Sequence, residues 1–213
     1  MSTRLIMVLA LGATLPALAA NADIPAIYVV DLSLQLSEPA CLFVVPDGSG
    51  PGFAGATVFG GDTVDASFTF RLVDQYGDPI PHYPYEDLWL AGSSLLVDCF
   101  GRPCIVADAD TDLEGRTSFS LPVRGGGWST EPMGLFVAGS AAQDPEGAFL
   151  EPLPILVHGP DLDGDRAINL ADIVLFTIDL AEGTGFRSDL RWDGVINLSD
   201  IAIFAQHLGA SCE

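Results

Sequence analysis

The sequence predicts a mainly β protein, a β-sandwich followed by a small α-helical module. Three features carry that reading. Short runs alternate apolar and polar residues, turn-forming residues separate the runs, and beyond residue 157 the apolar residues change to spacings of three and four.

At the N-terminus one cation, Arg4, precedes an apolar run from Leu5 to Leu15, followed by small residues at Ala17, Ala19, Ala20 and Ala22. This is the layout of a secretory signal peptide, so residues 1–22 are expected to be removed on export. The run is shorter than the ~20 residues a membrane helix needs, and no later stretch is apolar for long enough to span a bilayer. The expected location is secreted, extracellular or at the cell surface. Roughly 190 residues remain, enough for one sandwich and one small module.

From Ile27 onward Tyr28, Val30, Leu32, Leu34 and Leu36 alternate with Asp31, Ser33 and Gln35, the pattern of a half-buried strand. The alternation returns with Val64, Ala66, Phe68, Phe70 and Leu72 against Asp65, Ser67, Thr69 and Arg71. Shorter strands are predicted over 41–45, 88–91, 95–99, 117–121, 135–139 and 153–157. Between them lie Pro46-Asp47-Gly48, Gly60-Gly61, Tyr76-Gly77-Asp78-Pro79, Glu114-Gly115 and Gly125-Gly126-Gly127, which supply turn conformations. Many short strands with frequent turns indicate an all-β sandwich over residues 23–157. His158-Gly159-Pro160 then links to a module over 158–213.

Two stretches, Phe70 through Asp74-Gln75-Tyr76-Gly77-Asp78-Pro79-Ile80 and Thr111-Asp112-Leu113-Glu114-Gly115, refine the fold. They resemble the Asp-x-x-Gly-x-Pro turn and the later Thr-Asp-x-x-Gly hairpin of invasin-type bacterial immunoglobulin-like domains. The resemblance covers two turns and their strands. It implies an immunoglobulin-like sandwich that serves in spacing, adhesion or display, with no catalytic residues to carry over.

The chain holds 29 Asp and Glu against 8 Lys and Arg, a formal net charge of −21. Nucleic acid and anionic membrane surfaces are disfavoured partners, because binding them requires cations that neutralise phosphate. Four cysteines, Cys41, Cys99, Cys104 and Cys212, are an even set in a chain expected to be exported, which favours disulfides. Three pairings are possible; Cys99 with Cys104 and Cys41 with Cys212 is the one favoured.

Asp161 to Leu180 and Asp189 to Leu208 are the same unit written twice, 28 residues apart. Each begins with oxygen-bearing side chains at alternate positions and has a carboxylate eleven residues after the first. Calcium takes six to eight hard oxygen ligands, and a twelve-residue loop gathers them from positions 1, 3, 5, 7, 9 and 12. In the first loop these are Asp161, Asp163, Asp165, the Ala167 carbonyl, Asn169 and Asp172. In the second they are Asp189, Asp193, the Val195 carbonyl, Asn197 and Asp200, with Arg191 at position 3, where no lone pair is available. After the loops Ile173, Phe176 and Leu180, and Ile201, Phe204 and Leu208, form one face of two short helices that are expected to pack together.

These residues resemble the duplicated, EF-hand-like loop-helix motifs of dockerin modules, over about fifty residues. The resemblance implies calcium as the bound ion and a cohesin domain as the protein partner. The positions that tune partner choice, Leu170, Ala171, Thr177 and Ile178 with Leu198, Ser199, Ala205 and Gln206, are mostly apolar, unlike the Ser/Thr and Lys/Arg sets of many dockerins. Leu170 and Leu198 therefore have a second expected role, docking against the chain's own sandwich. Arg166 stands at position 6, where Gly usually makes the turn.

The acidic stretch Asp108 to Gly115 lacks a twelfth-position ligand and reads as a hairpin turn. No nucleophile elbow, phosphate loop or histidine-centred set occurs, so no enzyme is expected. The expected function is calcium-stabilised attachment. The alternative is a carbohydrate-binding module, or an accessory part of a dockerin-attached glycan-degrading system, with Tyr83, Tyr85, Trp89 or Trp128 contacting the glycan.

Overall fold

The fold is that of a computed structural model, described for residues 26–92, 95–183 and 185–212. Residues 1–22, expected from the sequence to be a signal peptide, lie outside the described residues. In chain order the strands begin β1 (Tyr28–Val30), β2 (Ala40–Phe43), β3 (Ala56–Val58), β4 (Thr63–Val64), β5 (Phe68–Val73) and β6 (Leu88–Ala91). They continue β7 (Val97–Asp98), β8 (Ile105–Val106), β9 (Arg116–Phe119), β10 (Gly125–Gly126), β11 (Gly134–Val137), β12 (Ser140–Ala141) and β13 (Ile155–His158). Two helices follow, α1 (Leu170–Glu182) and α2 (Leu198–His207).

The chain is mainly β, with its strands in several small sheets. β5 lies between β1 and β9, β11 and β6 lie between β12 and β8, β10 pairs with β7, and β13, β2, β3 and β4 run side by side. All of these pairings are antiparallel except β13 on β2. The side chains of β5 explain its placement: Phe68, Phe70 and Leu72 point into the core while Thr69 and Arg71 point out. With Phe53 and Phe119 they make an aromatic cluster, the Phe68 and Phe119 rings stacking at 5.1 Å. Fully burying each such ring contributes about 1.5–3 kcal/mol.

The first strand is shorter than its alternation predicts. Leu32, Leu34 and Leu36 do pack on the core, but the ladder stops at Asp31, whose φ of 55° is left-handed. Arg71 and Arg116 hold its carboxylate at 3.3 and 3.7 Å. In the β-rich part an Asp-x-x-Gly sequence makes the turn at Asp74, Asp98, Asp112 and Asp144. In each the fourth residue is a glycine at positive φ, from 75° to 85°. The Asp carboxylate accepts from backbone amides within the turn, as Asp112 does from Glu114 and Arg116. Many of the chain's acidic residues are thus turn caps.

Residues 159–212 are not strung out on a linker. Val44 donates to the His158 carbonyl at 2.9 Å, and Val45 belongs to the same buried cluster as Leu162, Ile168, Phe176, Leu190 and Phe204, with Phe43 packed against it. A second contact cluster joins Cys41 and Leu156 to Trp192 and Phe186. Leu170 and Leu198, expected to dock on the sandwich, do not: they are 75% and 80% exposed. The apolar residues that meet the module come instead from β2 with the segment after it and from β13.

The cysteines correct the expected pairing. Cys99 bonds to Cys212, and Cys41 and Cys104 are free thiols. Cys41 is sealed beneath Trp192 and Leu156, which removes it from any partner. Among the described residues no helix is long and apolar enough to cross a membrane.

Candidate metal centre and helix groove

Loop one is built by its own carboxylates accepting its own backbone amides. Asp161 Oδ1 accepts from Gly164 and Oδ2 from Arg166, at 2.9 and 2.8 Å. Asp163 accepts from Asp165, and Asp165 from Ala167, at 3.1 and 2.9 Å. The Asn169 amide donates to Asp165 and to the Ala167 carbonyl, while its oxygen caps α1 through Ala171. The loop thereby curls around one point. Carboxylate oxygens of Asp161, Asp163 and Asp165 lie within 4.8 Å of one another. Oxygens on opposite sides of a calcium ion, each at 2.3–2.6 Å, are separated by about that distance. The triad could hold a metal ion, and its all-oxygen chemistry fits a hard cation.

Asp172 lies outside that triad. Its Oδ1 accepts from Leu162 and Asp163, at 2.7 and 3.3 Å, and its Oδ2 from Asn169 at 2.8 Å. It closes the loop through hydrogen bonds and, with Asn169, completes a capping box at the start of α1.

Loop two repeats the wiring. Asp189 accepts from Asp193 and Gly194, Asp200 from Arg191 and Asn197, and the Asn197 amide donates to the Val195 carbonyl while its oxygen accepts from Ser199. Asp200 and Asn197 form the matching capping box on α2. Arg191 at position 3 places its Nε 3.8 Å from Asp193 Oδ2, so this loop brings a cation of its own. The two loops thus share a fold and differ in charge.

The electrostatics single out position 1. Burial pushes the Asp161 carboxyl up to about 7, against the Arg166 and Gly164 amides that favour its charged form. Burial likewise raises Asp172 and Asp189. A desolvated carboxylate whose partners are mainly amides, with other carboxylates nearby, is the environment in which a bound cation gains most.

The burial of Asp161 has a cause that the sequence did not disclose. Gly126, in β10, faces it so closely that a Cβ built on Gly126 would overlap Asp161 Oδ2. Gly127 also donates to the Asp161 carbonyl at 2.8 Å. The triple glycine was read as a turn breaker; its run of three is longer than a turn needs, and that excess was the available signal.

Between the helices lies an apolar groove lined by Ile173, Phe176 and Leu180 of α1 and by Ile201, Phe204 and the following Leu208. These are equivalent positions of the two repeats. The Phe176 and Phe204 rings meet at 5.4 Å and form its floor. Leu170, Val174 and Ile178 on α1 and Leu198 on α2 are further exposed apolar side chains of the helices. At the far end of α1, Arg187 grips Asp179 through two hydrogen bonds of 2.7 and 2.8 Å and Ser188 adds a third at 2.6 Å, fixing the connection between the repeats.

The aromatic residues considered for glycan contact are dispersed in role. Tyr83 packs against the core, Trp89 stacks on Phe136 at 5.9 Å, Trp128 is half-buried and Tyr85 is exposed. His82 is exposed, and His158 is fully buried between Phe43 and Phe186, with burial lowering its pKa to about 4. Asp108 accepts from Ser118 and Ser120, and Asp112 closes the adjacent hairpin. A scan against protein-family models finds no match to this chain, and a search of curated proteins finds none either.

Proposed function

We propose that this is a secreted, non-catalytic protein in which an immunoglobulin-like sandwich carries a dockerin-like, calcium-stabilised module for attachment to a protein partner. The observation that carries the reading is the groove between α1 and α2. It is apolar, open, and lined by paired positions of a repeat whose first loop gathers three carboxylates. A contiguous exposed apolar surface marks an interaction site more often than an accident of packing. Calcium in this reading is held by Asp161, Asp163 and Asp165, with Asn169 and the Ala167 carbonyl, and the ion fixes the entry to α1. Loop two offers Asp189, Asp193, Asn197 and the Val195 carbonyl to a weaker second ion. The disulfide is compatible with an oxidising compartment outside the cytoplasm.

The experiment is retention of co-secreted proteins on the immobilised full chain, with calcium and with chelator, beside a Thr177→Asp/Ala205→Asp variant, whose two exposed positions line the groove. A partner retained only with calcium and lost in the variant supports the reading. Equal retention under all conditions refutes it.

A further inference from the structure

The C-terminal tail is wired to loop one. After α2 the chain reverses, and Gly209 donates to the Ile168 carbonyl at 2.9 Å while Ile168 donates to Ala210 at 2.8 Å. Ser211 then pairs with Ala167 in an antiparallel bridge, and Cys212 donates to the Arg166 carbonyl at 3.0 Å. Residues 209–212 therefore run as a short strand along positions 6 to 8 of loop one. Cys212 ends that strand in a disulfide to Cys99, which sits in the Asp98–Arg102 turn of the β-rich part.

The part of the loop that the tail grips is the part that most needs holding. Arg166 occupies position 6 with φ 74°, a left-handed conformation that a residue with a side chain adopts only when its surroundings impose it. A glycine there would relax freely. Next to it, Ala167 supplies the carbonyl expected at position 7. Left to itself, this stretch would spend part of its time out of the ligating conformation, and the apparent affinity for a cation would fall by the fraction of time lost.

We propose that the Cys99–Cys212 disulfide is a clamp that sets the cation affinity of loop one, so that reducing it weakens binding without removing a single ligand. The inference rests on the reading of loop one as a calcium site. Reduction by a dithiol breaks the S–S bond, leaves the Cys99 and Cys212 thiols, and releases the dithiol as its cyclic disulfide. The freed tail then holds residues 166–168 by hydrogen bonds alone. Coupling is reciprocal: calcium must favour the disulfide over the dithiol by the same factor by which the disulfide favours calcium.

The test uses the full chain with Cys104→Ser, because Cys104 lines the same cleft as Cys99 and would offer it a second partner. Calcium is titrated calorimetrically into the oxidised protein, the dithiol-reduced protein and the Cys212→Ser variant, with circular dichroism on each sample to show that strands and helices persist. The expected result is an affinity for the tighter site at least about ten-fold lower in the reduced and Cys212→Ser proteins. Should Cys212→Ser not fold, Cys99→Ser cuts the same bond and leaves the tail sequence intact. A matching shift of the thiol–disulfide equilibrium by calcium is the second expected reading. Equal affinities in the oxidised and opened proteins, all folded, overturn the clamp and leave the calcium site standing. Absence of calcium binding in every form, the oxidised one included, overturns the calcium reading itself and the clamp with it.

Discussion

Gly126→Ala is the substitution that most directly tests how loop one is seated. The change adds one methyl group where the backbone is not left-handed, so the cost is one of space, opposed only by the about 0.4–1 kcal/mol that alanine gains by restricting the unfolded chain. Its Cβ would overlap Asp161 Oδ2. Either the carboxylate turns away and gives up its bond to Arg166, or the loop backs off β10 and gives up the bond from Gly127. A hydrogen bond to a charged group contributes about 1.5–3 kcal/mol and a neutral one about 1, while overpacking a close contact costs about 1–3 kcal/mol. The expected loss is about 2–4 kcal/mol. Gly139→Ala is the comparator: its φ of +84° makes alanine costly by about 1–2 kcal/mol, but nothing lies within 4 Å of the added Cβ. Thermal unfolding and calcium calorimetry on both variants separate the effects. Gly126→Ala should lower the melting temperature and weaken calcium binding about ten-fold or more, because the Asp161 carboxylate, the position-1 ligand of the reading, is displaced. Gly139→Ala should lower only the melting temperature. If Gly126→Ala melts and titrates as the parent does, Asp161 is not held against β10 and the account of its burial fails.

Three further outcomes are expected. Arg191→Asp removes the guanidinium that now stands near Asp193 and restores a position-3 oxygen, so calorimetry should resolve a second calcium site, tighter than in the parent; an unchanged isotherm would refute the assigned register of loop two. Arg187→Ala leaves Asp179, 5% exposed, without its main partner and should cost about 1–3 kcal/mol, discounted because Arg187 is partly exposed. Because the Arg187 hydrogen bonds lower the Asp179 pKa, that stability is present above the unfolded carboxylate value near 4 and is lost as pH falls through the folded value. Acid unfolding of Arg187→Ala should accordingly show a smaller loss over that window; parallel curves would refute the pairing. Native alkylation followed by mass spectrometry should label Cys104 and spare Cys41, whose thiol is buried with its pKa raised by burial and by Asp189, until the chain is unfolded. Labelling of Cys41 in the folded protein would contradict the packing of Trp192 over it.

The parts of this structure that were legible in the sequence are those written in local periodicity. The face of β5 follows from Phe68, Phe70 and Leu72, and the two helices with their apolar faces follow from the spacing of Ile173, Phe176 and Leu180 and of Ile201, Phe204 and Leu208. What escaped depends on residues far apart in the chain. Nothing near Val45 says that it will complete the core between two helices more than a hundred residues later. The disulfide escaped because Cys99 and Cys104 looked paired by proximity, whereas the tail strand along Arg166–Ile168 delivers Cys212 instead. Asp172 is the instructive middle case. Its place at position 12 was legible, but the hydrogen bonds its buried carboxylate accepts from the Leu162 and Asp163 amides, ten and nine residues earlier, were not.

The two loops also differ in what supports them, and the difference bears on how a partner would be met. Loop one rests on Gly126 and Gly127 and is bound covalently through Cys212. Loop two rests on the Gly60-Gly61 turn: Gly60 donates to the Trp192 carbonyl at 2.9 Å, the Arg191 side chain lies against Gly61, and Phe59 packs edge-on to Trp192 at 6.3 Å. Glycine-bearing segments, β10 with Gly127 and the Gly60-Gly61 turn, thus hold the module at two points, and the disulfide makes a third. The groove, by contrast, is lined only by residues of the two helices and the Leu208 that follows α2. Docking on the β-rich part therefore leaves it uncovered. A module hung on a flexible linker must give up orientational freedom when it engages a partner, and that cost subtracts from affinity. Here the freedom is already lost on folding. The groove is presented in one orientation relative to the strands, and a partner that fits it would also meet whatever surface of the β-rich part lies beside it.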